Sequence, residues 1–191
     1  GVSFGELMAD TRAATSSVRR PPLRLRVGLW VLCRPQLLRL GTLLLAVLQR
    51  LGLLGFSKIL PARLPFQASR MVMAVEPDVL LFSGCVMDAW MPQVHDAAQQ
   101  VVEATGATVG RSGMAAGCCG ALHEHAGLRE EAKRLARRVM AALPGERRIL
   151  VDSAGCGAML KSYGHLLGTE EASVFSERVV DVHEWLVDHL A

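Results

Sequence analysis

The sequence predicts an α/β fold: a parallel sheet with strand–helix alternation, preceded by an α-helical basic connector. Two observations lead to this prediction. From residue 76 onward, short apolar runs typical of buried strands alternate with helical segments at a spacing that favours parallel pairing. Before residue 76, Leu-rich helical patterns carry an arginine at roughly every turn. We therefore divide the chain into a helical connector, residues 1–75, and a cysteine-rich α/β domain, residues 76–191.

Charge separates the same two segments. Residues 1–75 contain ten Arg and one Lys against Glu6 and Asp10, a balance of +9, so the whole-chain charge of +3 leaves −6 for residues 76–191. Such asymmetry indicates segments with different partners. A basic segment favours nucleic acid, an anionic membrane surface or an acidic subunit. We expect no nucleic-acid partner, because the connector lacks the aromatic interleaving and Gly/Lys patterns of nucleic-acid modules.

The connector is predicted to be helical, with breaks at its prolines. Its most apolar stretch, residues 40–49, is ten residues long, and a membrane span needs about 20. We therefore expect no transmembrane helix, although short apolar helices with basic faces allow docking at a membrane surface. The predicted elements are a short helix followed by a Ser/Thr-rich run (1–20), two helices (23–33 and 36–51) and a linker (61–76).

The α/β domain is predicted to alternate four strands with four helices. Period-3.6 apolar patterns mark the helices, and short Val/Leu/Ile runs mark the strands. The predicted strands are 78–83, 107–109, 148–151 and 178–180, and the predicted helices are 92–105, 127–142, 157–167 and 182–190.

Four of the five cysteines lie in the α/β domain, each beside a glycine: Cys85, Cys118, Cys119 and Cys156. Most of them follow predicted strands or lie in strand-to-helix loops. Ligands of open α/β sheets gather at the carboxyl ends of the strands, so these thiols are expected to converge. The neighbouring glycines let the main chain turn tightly and approach a bulky group. The fifth cysteine, Cys33, stands alone in the connector and is expected to be a small apolar residue in a helix.

The chemistry of this cysteine set is compatible with four hypotheses. Adjacent cysteines rarely pair, because the resulting disulfide is strained, so a metal or redox site explains the pattern better than a disulfide framework. An iron–sulfur cluster needs several thiolates and is the leading hypothesis. Zinc is less favoured because the paired C-x2-C units of structural zinc sites are missing from the sequence. A thiol-redox site at Cys118 or Cys119 is the third hypothesis, and buried cysteines without a role are the fourth.

Three segments closely resemble the CCG domain of glycolate oxidase iron–sulfur subunits. They are GCVMDAWMP (84–92), AGCCGALHEHAG (116–127) and SAGCGAMLKSYGHLL (153–167). The same domain type occurs in heterodisulfide reductase and in lactate-utilisation proteins. The resemblance covers residues 78–190, and the connector resembles the segment that follows a ferredoxin-like domain in such subunits. By this resemblance the chain is a piece of a longer protein with an upstream ferredoxin domain and a downstream second CCG domain.

The resemblance implies an electron-transfer subunit rather than the subunit that oxidises the substrate. A flavoprotein partner carrying FAD would oxidise glycolate or a similar 2-hydroxy acid, and this non-flavin subunit would pass electrons to a quinone or other acceptor. The implied location is cytoplasmic, with contact at the inner face of the cell membrane allowed by the basic connector. The implied ligands of a cluster, expected to be [4Fe–4S], are Cys85, Cys118, Cys119 and Cys156.

One position departs from the heterodisulfide reductase pattern, which ends in C-x-x-C. Here Met159 replaces the second of those cysteines, and a thioether is a poor ligand for such a cluster. Four thiolates still suffice for an ordinary [4Fe–4S] cluster. Two further functions stay open: a thiol/disulfide redox component, against which Met159 argues, and a metal-free scaffold that bridges subunits.

Other polar residues near the motifs have ordinary interpretations. His123 and His125 are two apart and should point to different sides of a helix, so at most one approaches the cysteines. Lys161 and His165 are four apart and would share a helical face, where they could neutralise a cluster, although solvated charges are the default. Tyr163 is expected to be a packing residue.

Overall fold

The computed structural model of the chain describes residues 4–18, 21–53, 60–66 and 76–189. Within these ranges, three helices precede the first strand: α1 (Phe4–Val18), α2 (Leu23–Leu32) and α3 (Pro35–Arg50). The elements that follow are β1 (Val79–Leu81), α4 (Val86–Trp90), α5 (Pro92–Glu103), β2 (Val109–Arg111), α6 (Gly113–Ala116), α7 (Ala121–His125), α8 (Arg129–Ala142), β3 (Arg148–Val151), α9 (Ala154–Lys161), α10 (Tyr163–Leu167), α11 (Glu170–Glu177), β4 (Val179–Asp181) and α12 (Val182–His189).

The strands of the described residues form one parallel sheet in the order β2-β1-β3-β4. Val79 of β1 pairs with Val109 on one side and with Arg148 on the other, and Ile149 of β3 pairs with Val179. The chain moves to one side of β1 to form β2 and then crosses back to form β3. This reversal opens a crevice at the carboxyl end of β1, where open α/β sheets bind ligands. The predicted fold class is confirmed.

Apolar side chains alternate between the two faces of the sheet because successive strand residues point in opposite directions. Ile149 and Val151 of β3 belong to the core under α8, α9, α10 and α11. Leu150 belongs to the core on the other face, with Val102 of α5 and Val182 of α12. Helices therefore cover both faces, as a buried parallel sheet requires.

The connector helices lie against the α/β domain. In α3, Arg39 forms an ion pair of 3.0 Å with Asp88 of α4, and Thr42 Oγ1 accepts a 3.1 Å hydrogen bond from Trp90 Nε1. In α1, Ser16 Oγ donates a 2.6 Å hydrogen bond to the carbonyl oxygen of Gly127. The connector thus contacts the loops and helices that carry the cysteine motifs.

Among the described residues, no helix taken singly has the length and apolar character needed to cross a membrane. Only α2 and α3 together reach that length and composition, and they bend by 101° at the break between them.

Several elements differ from the sequence prediction. Helices α4, α6 and α7 were not predicted, and β2 lies at Val109–Arg111 rather than at 107–109. The helix α1 continues through the Ser/Thr-rich run, where the hydroxyls of Thr11 and Thr15 bond to main-chain carbonyls one turn earlier. The predicted helix 157–167 is two helices, α9 and α10, with a break at Ser162. The helix α11 was not predicted, although Thr169 caps it by accepting from the amide of Ala172, a recognisable start signal.

The predicted boundary between connector and α/β domain falls beside residues 67–75, which lie outside the described residues. Most of the predicted linker 61–76 lies there too. Its described beginning packs on α3, where the side chain of Gln49 bonds the carbonyl of Pro61 and the amide of Leu64. The domain boundary stays a prediction.

We expect Gly110→Ala to destabilise the sheet by about 1–3 kcal/mol, the usual cost of overpacking a core. A Cβ at Gly110 in β2 would lie 2.6 Å from Cγ of the rigid Pro77 ring. The matched control is Gly41→Ala in α3, where no atom lies within 4 Å of the new methyl group. That change should stabilise by about 0.5–1 kcal/mol through helix propensity. Urea denaturation measures both, and equal effects of the two changes would contradict the packing assigned to β2.

Candidate metal centre

The cysteines of the α/β domain lie at one edge of the sheet, past the carboxyl ends of three neighbouring strands. Cys85 follows β1 and precedes α4, and Cys156 lies in the first turn of α9, after β3. Cys118 and Cys119 lie between α6 and α7 in the segment that follows β2. Since β1 lies between β2 and β3, thiols more than 30 residues apart in sequence meet beside one crevice. The predicted convergence of these residues is what the structure shows.

Two glycines hold the main chain in conformations that the site needs. Gly84 has φ +68°, and a Cβ there would lie 3.7 Å from the Sγ of Cys156, so its main chain runs directly beside that sulfur. Gly120 has φ +91°, and its Cβ would lie 3.3 Å from the carbonyl oxygen of Ala132 in α8. Side chains rarely adopt such positive φ values. Glycine therefore gives both the turn and the close approach at these positions.

The sulfur atoms form a contiguous set centred on Cys118. The Sγ atoms of Cys119 and Cys156 are 3.4 Å apart. Cys118 is within hydrogen-bonding reach of Cys119 and also of Cys85. All five cysteines are free thiols. Cys118 and Cys119 are buried, whereas Cys85 and Cys156 are partly exposed, which leaves one side of the set open to solvent.

Cys33 belongs to the same set, contrary to the expectation that it is only a small apolar residue. It ends α2 and is buried against Cys118, with Cys85 packed beside both. Its Sγ lies 3.6 Å from Nε2 of His123, and the ligating atoms of Cys33, Cys118 and His123 all lie within 4.8 Å of one another. Cys33 is buried at the end of α2, as a small apolar residue would be. Its nearness to the other sulfurs was not predicted, because the sequence around Cys33 carries no sign of it.

Hydrogen bonds among the sulfurs shift the pKa values of the cysteines in opposite directions. Three neighbouring thiols hold the pKa of Cys118 well below its ordinary value, the hydrogen bond with Cys119 contributing most. The hydrogen bonds with Cys118, reinforced by burial, raise the pKa values of Cys33, Cys85 and Cys119. A hydrogen bond with Cys119 lowers the pKa of Cys156. The thiolate is the form that ligates metals, and these hydrogen bonds lower the pKa values of Cys118 and Cys156 towards it.

Tyr163 and Met159 are buried behind the paired cysteines. Tyr163 Oη donates a 2.8 Å hydrogen bond to the carbonyl oxygen of Cys119, and its ring stacks on Phe175 at a centroid distance of 5.6 Å. Burial, with the nearby sulfurs, raises the pKa of Tyr163 well above its ordinary value, so it remains a donor. Its predicted packing role is confirmed. Met159 lies in the same apolar core as Cys119.

Two further polar contacts hold the cysteine-bearing loops. His95 of α5 and Asp152, the residue after β3, form a buried pair with a 2.5 Å Nδ1–Oδ2 distance. Arg138 of α8 donates to the carbonyls of Met114 and Ala115, just before Gly117. Neither contact was predicted from the sequence. A histidine on the apolar side of a helix and an aspartate directly after a buried strand were the available signals.

The remaining polar residues behave mostly as solvated charges. His125 is exposed while His123 is buried, which confirms that they face different sides of α7. Lys161 bonds Glu184 at 2.7 Å, and His165 lies 3.6 Å from Asp10. The shared helical face expected for these two cations is not present, because α9 ends before α10 begins at Tyr163.

The donor set fits an iron–sulfur group. Several thiols converge without disulfide bonds, and the glycine-rich main chain passes beside sulfur. Cys85, Cys118, Cys119 and Cys156 are the residues of the α/β domain that would hold such a group. Thiolates of this kind are the usual ligands of iron–sulfur clusters.

Comparison with known proteins identifies the domain. Residues 79–161 match the family model described as CCG, cysteine-rich domain. Residues 79–161 are thus similar to the CCG cysteine-rich domain, the resemblance on which the three cysteine motifs led us to expect an iron–sulfur subunit. Over 117 residues the chain is 32% identical to the probable glycolate oxidase iron-sulfur subunit of Bacillus subtilis (strain 168), a region that makes up 58% of this chain and 26% of that protein.

Two more relatives have similar names. The chain is 31% identical over 115 residues to the glycolate oxidase iron-sulfur subunit of Escherichia coli (strain K12), covering 58% of this chain and 28% of that protein. It is 29% identical over 117 residues to lactate utilization protein A of Geobacillus kaustophilus (strain HTA426), covering 59% and 48%. The chain spans between about a quarter and a half of the length of these relatives. No solved structure gives a significant match.

We expect Tyr163→Phe to destabilise the metal-free chain by about 1–3 kcal/mol, the cost of leaving a buried polar group without its partner. The phenyl ring keeps the stacking on Phe175, so the loss reports the hydrogen bond to Cys119. The control is Ser173→Ala, which removes an exposed hydroxyl bonded to the Thr169 carbonyl and should change stability by less than about 0.5 kcal/mol. Denaturant titration under reducing conditions measures both, and a neutral Tyr163→Phe would show that the Cys119 carbonyl finds another donor.

Proposed function

We propose that this chain is an iron–sulfur electron-transfer component of an oxidase or dehydrogenase that acts on glycolate or a related 2-hydroxy acid. The observation that carries the proposal is the convergence of free thiols at the carboxyl edge of the parallel sheet, in a domain of the CCG family. The names of the relatives support the same function. We propose a [4Fe–4S] cluster whose ligands include Cys85, Cys118, Cys119 and Cys156.

The chain's own residues would hold such a cluster and limit its contact with water. Cys118 and Cys119 lie on the buried side, and Cys85 and Cys156 lie on the partly exposed side. The bound cluster would supply one-electron transfer, with a potential that depends on hydrogen bonds and exposure. The partly exposed side is where an electron-transfer partner could approach closely.

The proposed partner is a flavoprotein that carries FAD and oxidises the hydroxy acid. In this assignment the chain is a non-flavin subunit, and it delivers the electrons to a quinone or another acceptor. We base this division of work on the cofactors: an iron–sulfur cluster transfers electrons, whereas a hydride from the substrate needs an acceptor such as a flavin. The substrate would then be bound by the partner.

A thiol–disulfide role is the second candidate, and the 3.4 Å contact between the Cys119 and Cys156 sulfurs favours it. These two thiols could reduce a disulfide substrate, forming one Cys119–Cys156 bond and releasing two substrate thiols. The lowered pKa of Cys156 would make it the attacking thiolate. A disulfide-reductase assay on the metal-free chain distinguishes this role from electron relay, because only the thiol role predicts turnover without iron.

We further propose that the chain works in the cytoplasm, with the connector docked on the inner face of the cell membrane. Among the described residues, α2 and α3 expose many apolar side chains, including Leu40 at 65% and Leu44 at 61%. Arg24, Arg26 and Arg34 are exposed on or directly beside α2. Apolar burial combined with attraction to anionic headgroups is how peripheral helices bind lipid surfaces. An anionic membrane is therefore the proposed occupant of this surface.

Anaerobic reconstitution of the full chain tests the cluster. We expect about four irons per chain for a [4Fe–4S] cluster, with matching sulfide and an EPR signal after reduction. Cys119→Ser should lose the iron, because a buried thiolate is replaced by a poor iron ligand. The control is Met159→Leu, which changes a buried neighbour at similar volume and should keep the iron. A folded chain without stoichiometric iron would instead favour a metal-free scaffold that only bridges subunits.

Vesicle sedimentation tests the membrane contact. We expect binding to phosphatidylglycerol-containing vesicles that weakens in high salt. The double change Leu40→Gln and Leu44→Gln should weaken it at least tenfold, since each buried Leu contributes about 1.5–3 kcal/mol. The matched control is Val187→Gln on α12, which removes a side chain that is 77% exposed on the acidic segment. Equal binding by all three proteins would rule out docking through the connector.

A further inference from the structure

Cys33 is the one cysteine of the connector, yet it lies among the sulfurs of the α/β domain. Its side chain is buried, with Cys118 as a direct neighbour and Cys85 packed against both. Its Sγ is 3.6 Å from Nε2 of His123. The ligating atoms of Cys33, Cys118 and His123 lie within 4.8 Å of one another, close enough to hold one metal ion. No family motif or relative assigns a role to Cys33.

Contacts remote from the sulfurs bring Cys33 to this position. On α2 the buried side consists of Leu29 and Cys33, which are four residues apart and share one face of the helix. The next helix, α3, is fixed on α4 by the ion pair of Arg39 with Asp88 and by the hydrogen bond from Trp90 to Thr42. Because α4 begins directly after Cys85, these contacts hold the end of α2 beside the cysteine set.

The surroundings of Cys33 combine ligand atoms with apolar packing. Its sulfur lies 3.6 Å from Nε2 of His123, and Cys33 shares a buried cluster with Cys118 and Leu135. The imidazole of His123 is buried, and its Nδ1 has no hydrogen-bond partner among the described residues. Nε2, on the other side of the ring, is the nitrogen that faces the Cys33 sulfur.

We propose that Cys33 is a fifth protein thiolate of the metal centre, so that the connector and the CCG domain bind the same cluster. A [4Fe–4S] cluster takes one protein thiolate on each of its four irons, so with Cys33 one iron would carry two. The inference rests on the proposed function, because it assumes a cluster held by the cysteines of the α/β domain. On binding, the Cys33 thiol loses its proton to solvent and its sulfur bonds to iron, as thiol ligands do in general. His123 is a positioning residue whose Nε2 lies beside the Cys33 sulfur and orients it.

With a ligand at the end of α2, the connector itself would supply part of the electron-transfer centre. The cluster would join two segments of opposite charge and close the buried side of the site. A membrane surface docked on α2 and α3 would then lie close to the end of α2 that carries this ligand. Movement of the connector would change the ligand set directly, so the centre would respond to whatever binds the connector.

The decisive experiment replaces Cys33 by selenocysteine in the full chain, which keeps the size and the chemistry of the side chain and therefore the fold. After anaerobic reconstitution, X-ray absorption at the selenium edge should detect an iron neighbour at bonding distance. In parallel, Cys33→Ser should release its iron to a chelator at least tenfold faster than the unchanged chain, the lower end of what altered metal surroundings cost. Its EPR spectrum after reduction should also shift.

The control variant is Leu29→Ala, which removes the other buried side chain of α2 and no donor atom. It should leave the EPR spectrum unchanged. If Leu29→Ala shifts the spectrum as much as Cys33→Ser and selenium has no iron neighbour, Cys33 acts only through packing and the inference is overturned. If the unchanged chain binds no iron at all, both the inference and the proposed function fail. If iron binds and is lost in Cys119→Ser while selenium has no iron neighbour, only the inference fails.

Discussion

The parallel pairing of β1 with β2 on one side and with β3 on the other decides where the cysteines of the α/β domain meet. Each of these strands is only three or four residues long, so the pairing depends on the apolar layers above and below it. In β3, Ile149 and Val151 face one layer while Leu150 faces the other. A shift of one residue would exchange these faces and move Cys156 away from Cys119. The geometry of the thiols therefore follows from the core rather than from the loops that carry them.

Sequence reasoning succeeded where local pattern and sheet topology coincide. The strand at 148–151 has the predicted bounds, and the motifs around Cys85 and Cys156 follow strands as expected. It failed where a residue is placed by partners far along the chain. Arg39 and Asp88, which help to fix the helices around Cys33, are 49 residues apart, and His95 and Asp152 are 57 apart. Such contacts leave no periodic signal, so neither Cys33 nor the buried pair was assigned to the site.

The two segments of opposite charge contact each other, although their charges predicted separate partners. The sequence divides into a basic segment and an acidic segment, and this division predicted separate partners for them. In the structure the two segments contact each other through opposite charges: Arg39 with Asp88, and Asp10 with Arg129. These pairs are partly exposed, so each contributes little to stability. Their effect is orientation, since together with the Trp90–Thr42 hydrogen bond they hold α1 and α3 over the loops of the site while the exposed arginines of α2 stay available for a surface.

The loops that carry Cys118, Cys119 and Cys156 are also held by polar side chains from other elements. Arg138 bonds the main chain before Cys118, Tyr163 bonds the Cys119 carbonyl, and the His95–Asp152 pair precedes Cys156. Tyr163 and the His95–Asp152 pair are buried, and burying polar groups costs desolvation free energy. Stability alone therefore does not explain them. Their common property is that each fixes a loop against a helix of the core, which holds the sulfurs in place before any metal binds. A ligand set arranged in advance loses less conformational entropy when the metal binds. This matters most for a site on loops, because loops are otherwise the least ordered part of the chain.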